Sequence, residues 1–238
     1  MTDNTLRQRN STNHTVIEVG VDEVGRGCLG GRVYAAAVVW PRIYVPESEK
    51  WVKDSKRLSE KKRNHAETFI KNHAIAYHVA WVSESDVDSK NILQASLYAM
   101  RLAIDGLSVI PEQILVDGTH FTPYLTKKLD FCSHLCVPKG DSCYYSIAAA
   151  SILAKVARDS YIQELVTLHP ILERYGWRKN KSYGTKQHIQ AIREFGITPW
   201  HRKSFKPCCY YEVTENMDSY NNKKDEDTTD SEDIIETV

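Results

Sequence analysis

The residues of this chain best suited to chemistry are carboxylates that close apolar runs. Asp22 and Glu23 follow a stretch of alternating apolar and β-branched residues and lead into Val24-Gly25-Arg26-Gly27. Asp117 ends Ile114-Leu115-Val116 ahead of Gly118, and Asp141 follows Pro138-Lys139-Gly140. Hard cations such as Mg²⁺ and Mn²⁺ prefer oxygen ligands drawn from several segments, so acids emerging at strand ends can build such a site. If the first strand ends at residue 22, adjacent side chains no longer have to face opposite ways, and Asp22 and Glu23 can approach one site. Taken singly, an aspartate beside glycine is more commonly a turn former or a helix cap. Asp54, Asp86, Asp88 and Asp159 compete with these acids, and spacing alone does not rank them.

The elements that must position these groups read as alternating strands and helices. Residues 16–22 and 32–40 have the pattern of strands, with Gly25, Gly27, Gly30 and Gly31 punctuating the turn between them. Ser59 opens a helix running to about residue 71, residues 75–82 alternate as a strand, and residues 92–107 form a helix. Residues 113–117 and 135–137 are short strands, residues 146–167 a long helix and residues 188–195 a short one. The order implies an α/β fold with a largely central mixed sheet flanked by helices. Residues 1–14 and 212–238, polar and acidic respectively, are expected to stay disordered on either side of a single body at 15–211.

Overall charge is zero, but residues 212–238 hold 10 acidic and 2 basic residues, leaving 29 basic against 21 acidic in residues 1–211, an excess of +8. A basic body joined to an acidic tail is a reason to consider a polyanionic partner. The six cysteines form no Cys-x-x-Cys pair and have no histidines at zinc-ligand spacing. The longest apolar run, residues 33–40, is far short of the roughly 20 residues that span a bilayer. With no signal-peptide pattern at the start, a cytoplasmic protein is expected.

Asp22-Glu23-Val24-Gly25-Arg26-Gly27 closely resembles the signature of the type 2 ribonuclease H family, ribonuclease HII. Matching blocks follow in order: Asp54-Ser55-Lys56-Arg57-Leu58-Ser59-Glu60, Val116-Asp117-Gly118, Lys139-Gly140-Asp141, the stretch from Ala148 to Asp159, Tyr183-Gly184-Thr185-Lys186-Gln187-His188, and His201-Arg202-Lys203-Ser204-Phe205. The resemblance implies a ribonuclease H-like fold with a small helical C-terminal part. It also implies metal-binding, catalytic carboxylates at Asp22, Glu23, Asp117 and Asp141, with two Mn²⁺ or Mg²⁺ ions engaged in catalysis, and a supporting role for Asp159. The implied substrates are RNA·DNA hybrids and duplex DNA containing ribonucleotides, cut by a monomer to leave 3′-hydroxyl and 5′-phosphate ends. Two other readings stay open: a catalytically silent hybrid-binding module of the same fold, and an integrase-like strand transferase.

RNA differs from DNA by a 2′-hydroxyl that donates and accepts hydrogen bonds, and glycines let backbone groups approach it. Gly25, Arg26 and Gly27 are therefore the expected ribose readers, although a tight turn would also call for glycine. The resemblance adds Lys56 as a substrate contact and Tyr183 as a platform for the deoxyribose that follows the ribonucleotide. Basic residues between 178 and 206, Arg202 among them, interleave with Trp177, Trp200 and Phe205 and are expected at phosphates. His188 and His201 are expected in helix-surface and packing roles, since a two-metal site needs no protein base. The chain departs from the family pattern at Cys28-Leu29-Gly30-Gly31-Arg32-Val33, where two prolines are common, and at Ser182, commonly glycine. Loss of the prolines should loosen the first loop.

Overall fold

The structure, a computed structural model, describes residues 6–13, 15–43, 45–55 and 58–214. Strands β1 (Glu18–Val24), β2 (Val33–Val39) and β3 (Ala76–Val82) form an antiparallel meander. On the other side of β1, strand β4 (Gln113–Asp117) runs parallel to it and β6 (Phe131–Val137) parallel to β4. The two-residue strand β5 (Tyr124–Leu125) closes that edge, giving the order β3-β2-β1-β4-β6-β5. The expected mixed central sheet is the one observed.

Both faces of the sheet are covered, which is why β2 is buried along its whole length. Val19, Val21, Ala35 and Ala37 face helix α4 (Ile92–Asp105), whereas Ala36 and Val38 face the other layer, α2 (Glu60–His73) and α5 (Tyr145–Leu168). Helix α5 lies directly on β1. A Cβ at Gly20 would stand 2.3 Å from the Ser146 carbonyl carbon and 2.4 Å from the Ile147 nitrogen, so only glycine lets the two backbones approach this closely. A third cluster beyond the sheet joins Ile162, Leu165 and Val166 of α5 to Leu172, Trp177 and Ile192, making the helical C-terminal part with α6 (Trp177–Asn180) and α7 (Lys186–Phe195).

Helix starts follow the sequence signals. Ser59 caps α2, accepting from Lys62 N–H at 3.4 Å, and Thr185 caps α7, accepting from His188 N–H at 3.3 Å. The four-residue helix α1 (Ser48–Trp51) and the separate helix α3 (Glu84–Lys90) have no counterpart in the sequence reading. Helix α3 is held by a reciprocal cap between Ser83 and Asp86, and Asn91, at φ 68°, breaks it from α4.

One expectation is revised. Strand β1 does not stop at Asp22, because its antiparallel pairing continues through Glu23↔Ala35 and Val24↔Tyr34. Residues 6–13 are pinned to the body: Arg7 bridges Tyr144, and the Glu18 carboxylate accepts from the N–H groups of Asn10 and Ser11. At the other end the contacts run on past 211, through the Ile197↔Val213 bridge and the Thr214 hydroxyl donating to Phe195 O. The expectations for residues 1–5 and 215–238 lie outside the described residues, as does Lys56.

Candidate active site

The two parallel central strands bring the first acids together. Their register pairs Val21 with Val116, so the next residues along both strands are Asp22 and Asp117. Both point toward α5, since alternation from Leu115, packed with Ile147, carries Asp117 to that face. Glu23 alternates to the opposite face, where it lines a small cleft with Asp117, Leu97 and Met100. Convergence of the pair thus does not come from leaving strand geometry. The sheet ends at this point, and the Asp117 neighbourhood reaches both faces.

Asp22 is buried, and its carboxylate accepts from the Glu23 N–H at 2.7 Å. Burial, then the charges of Glu23 and Asp117, push its carboxyl well above the usual carboxylate range, opposed by a hydrogen bond from Ser151. Ser151 in turn shares a hydrogen bond with Ser55 at 3.0 Å, linking α5 and the segment before α2 to the acid. Burial also raises the Glu23 carboxyl, with the Arg26 guanidinium 3.3 Å away pulling in the opposite direction. Asp117 accepts from the Gly140 N–H at 2.6 Å, and Asp141 is buried in the short 3₁₀ turn Gly140–Ser142 that this bond fastens to β4.

Among the described residues, no group of three or more His, Cys, Asp or Glu side chains is drawn together as a closed metal cage. Mg²⁺ and Mn²⁺ do not require one, since they keep waters and take substrate oxygens beside one or two carboxylates. The donor set fits such an ion: hard oxygens only, with a buried Asp22 whose charge is destabilised by its acidic neighbours. Three of the competing acids have other partners, Asp86 in the cap of α3 among them. Asp159 pairs with Lys155 at 2.7 Å and Arg63 at 3.6 Å, and Asp88 accepts from the Lys203 and Ser204 N–H groups at 2.9 Å.

The Gly25-Arg26-Gly27 loop follows β1 directly. Gly25, at φ +100°, packs on Arg158, whose Nε would lie 2.5 Å from an added Cβ. Gly27 is exposed and has nothing within 4 Å of such a Cβ. Cys28 bridges Tyr183, and the Tyr183 ring, partly exposed, sits 5.7 Å from Lys155 Nζ. Burial, reinforced by Cys28, pushes the Tyr183 hydroxyl up to about 12, so it stays protonated at neutral pH. The Tyr183 carbonyl accepts from His188 Nδ1 at 3.0 Å, which fixes the backbone under the ring.

Two buried arginines hold this region, and the sequence reading assigned neither to that task. Arg158 donates to Gly30 O, Arg32 O, Lys181 O and the Ser182 hydroxyl. Arg202, expected at phosphates, is instead fully buried, its guanidinium spread over loop carbonyls. Trp177 is buried as well. Ser182, in the left-handed region at φ 65°, donates to Gly30 O at 2.7 Å, so the chain gives this position a structural hydroxyl. The loop that lost its prolines is therefore tied down from beneath. The signal for both arginines was their place inside matched blocks; only long-range packing shows what they bind.

His188 and His201 are internal packing residues, and the helix-surface expectation for His188 fails because that face of α7 meets Trp177 and Tyr175. Trp177 Nε1–H donates to His188 Nε2 at 3.1 Å, and His201 Nε2 lies 3.0 Å from the same nitrogen.

Comparison with known proteins converges on one group. The ribonuclease HII family model matches residues 19–208. Ribonuclease HII of Parabacteroides distasonis is 51% identical over 189 residues, covering 79% of this chain and 89% of that one. Among solved structures, ribonuclease H2 of Pyrococcus horikoshii superposes with a TM-score of 0.65 at 23% identity, over 81% of this chain and 95% of that one. A Bst ribonuclease HIII solved in complex with Mn²⁺ superposes with a TM-score of 0.56 at 21% identity, over 75% of this chain and 62% of that one. A helix-flanked mixed sheet with acids at the ends of its central parallel strands defines the ribonuclease H-like class. Within that class the chain belongs to the ribonuclease HII family. It is a hydrolase, an endonuclease that degrades the RNA of RNA–DNA hybrids.

Proposed function

We propose that this enzyme also cuts on the 5′ side of single ribonucleotides embedded in duplex DNA, leaving 3′-hydroxyl and 5′-phosphate ends. Gly27 carries this reading. Neither a positive φ nor a crowding neighbour requires glycine there, yet the residue sits at the open surface of the loop leading out of the acidic strand. Close approach by a ligand explains it, and a ribose hydroxyl read by backbone groups is a ligand of the right kind.

In this reading Asp22, Glu23, Asp117 and Asp141 are the residues that would hold two divalent ions, Mg²⁺ or Mn²⁺. Such ions, if bound there, would supply a lowered pKa for a water and positive charge to offset that on a departing 3′ oxygen. The chain's own groups do the rest. The Gly140 N–H orients Asp117, the Ser151 hydroxyl orients Asp22, and Arg26 beside Glu23 supplies a cation at the cleft mouth. Gly25, Arg26 and Gly27 read the ribose, Lys56 contacts the backbone, and the Tyr183 ring supports the next sugar.

The test uses two duplexes, one with a lone ribonucleotide and one with a continuous RNA strand, each with and without Mn²⁺. Cleavage 5′ of the lone ribonucleotide is expected, and its absence alongside hybrid cleavage removes the proposal. Asp117→Asn should abolish turnover and spare duplex binding. Gly27→Ala should leave the thermal midpoint unchanged while lowering kcat/KM by at least about tenfold, the effect of displacing a close contact. Full activity in Gly27→Ala would sink the backbone-reading idea.

A further inference from the structure

The Gly25-Arg26-Gly27 loop has an underside as well as a surface. The Arg202 guanidinium donates from Nη1 to Gly25 O at 2.7 Å, Arg26 O at 3.2 Å and Cys28 O at 2.9 Å. From Nε and Nη2 it reaches Gly31 O at 3.1 and 2.9 Å. The group is fully buried and, among the described residues, its hydrogen-bond partners are all backbone carbonyls. This is an expensive arrangement for a cation, because a guanidinium so placed loses water and, among the described residues, is hydrogen-bonded to no carboxylate, with Glu84 and Asp88 acting only through their charge.

What the arrangement accomplishes follows from peptide geometry. In a trans peptide the C=O of one residue and the N–H of the next point in opposite directions. With the Gly25 and Arg26 carbonyls turned down onto Arg202, the N–H groups of Arg26 and Gly27 turn up. Neither N–H makes a hydrogen bond among the described residues. They are two adjacent donors at an exposed surface beside the acidic strand end, above a buried positive charge. Arg158, anchored through the Ser182 hydroxyl at 2.8 Å, holds the following carbonyl at Gly30 in the same sense.

We infer that Arg202 is a positioning residue for substrate discrimination: by collecting the loop's carbonyls it aims the Arg26 and Gly27 amides at the ribose hydroxyl, with Arg158 and Ser182 as its secondary anchor. The inference rests on the proposed reading of the loop as the ribose sensor. No other side chain can replace it simply. Lysine keeps the charge, but its compact ammonium does not span carbonyls in a planar fan.

The test measures equilibrium binding of the full chain, in Ca²⁺ to suppress turnover, to an RNA·DNA hybrid and to the DNA duplex of the same sequence. Arg202→Lys should keep its affinity for DNA and lose about fivefold in its preference for the hybrid, the worth of one hydrogen bond. Ser182→Ala should shift the preference the same way by a smaller factor, and it serves as the deciding variant if Arg202→Lys fails to fold. A merely structural role would lower the thermal midpoint and leave the hybrid-to-DNA ratio alone. If the parent prefers the hybrid and the folded variants share that preference unchanged, the positioning role is overturned. A parent without any preference overturns instead the loop's assignment as ribose sensor.

Discussion

Asp22 illustrates how a single residue can be placed against its own stability. Its carboxyl is raised by burial and by Glu23 and Asp117. The neutral form is therefore favoured in the fold, and the penalty on the charged form grows as pH rises above the ordinary carboxylate range. Asp22→Asn should then raise the thermal midpoint at pH 8 without divalent ions, while lowering hybrid cleavage at least about 10²-fold, as loss of a key electrostatic group does. A variant less stable than its parent under those conditions would show that the charge is compensated in the fold. Divalent ions should stabilise the parent more than the variant, because they relieve the same repulsion.

Among the elements, α5 does the most positioning. It lies on β1 at Gly20, brings Ser151 to Asp22, and carries Lys155 to the Tyr183 ring and Arg158 to the Gly30 and Arg32 carbonyls. Gly20→Ala forces the two backbones apart and should cost about 1–3 kcal/mol or more, as overpacking does. It should also lower activity at temperatures where the variant is still folded, because Ser151 moves with the helix. Denaturant unfolding and cleavage rates on the same sample check both parts. The contact between helix α7 and the segment after it carries a different sensitivity. Burial lowers His188 to about 4 and His201 to about 3, and both rings are neutral partners in one hydrogen-bond chain. The unfolded chain takes up protons below pH ~6.5 that the fold refuses, so each ring should remove about 1.4 kcal/mol of stability per pH unit from there down to its folded value. Urea unfolding at pH 7, 6 and 5 should show that loss; a flat profile would mean that the pair accepts a proton in the fold.

At the scale of the whole molecule, charge distribution sets how nucleic acid is met. Residues 1–211 carry an excess of +8 and residues 212–238 are strongly acidic, and we propose that the tail competes with polyanions for the basic body. Deleting residues 215–238 should tighten binding of a hybrid at about 50 mM salt and change it little near 1 M, where the Debye length falls to about 3 Å. Unchanged affinity at low salt would remove that role. Arg202 does not belong to this field as a surface phosphate contact, being buried under the loop.

The sequence ranks Asp22, Glu23, Asp117 and Asp141 above Asp54, Asp86 and Asp88 only through the family resemblance, because motif blocks in matched order are local features of a chain. The strands and helices around them were legible for the same reason: periodicity of 2 or 3.6 residues is written in neighbouring positions. Helix α3 is hidden in the sequence because its seven residues include a single apolar side chain, Val87, and so carry little periodic signal, and the end of β1 is hidden because its last pairs depend on β2. The tertiary structure alone decided that Glu23 faces away from Asp22, that Gly140 fastens Asp117, and that two arginines lie beneath the Gly25-Arg26-Gly27 loop. Those facts join residues up to 177 positions apart, as between Arg202 and Gly25. A side chain's type states what it can bind, whereas only packing determines whether an arginine meets water, a phosphate or the carbonyls of a distant turn.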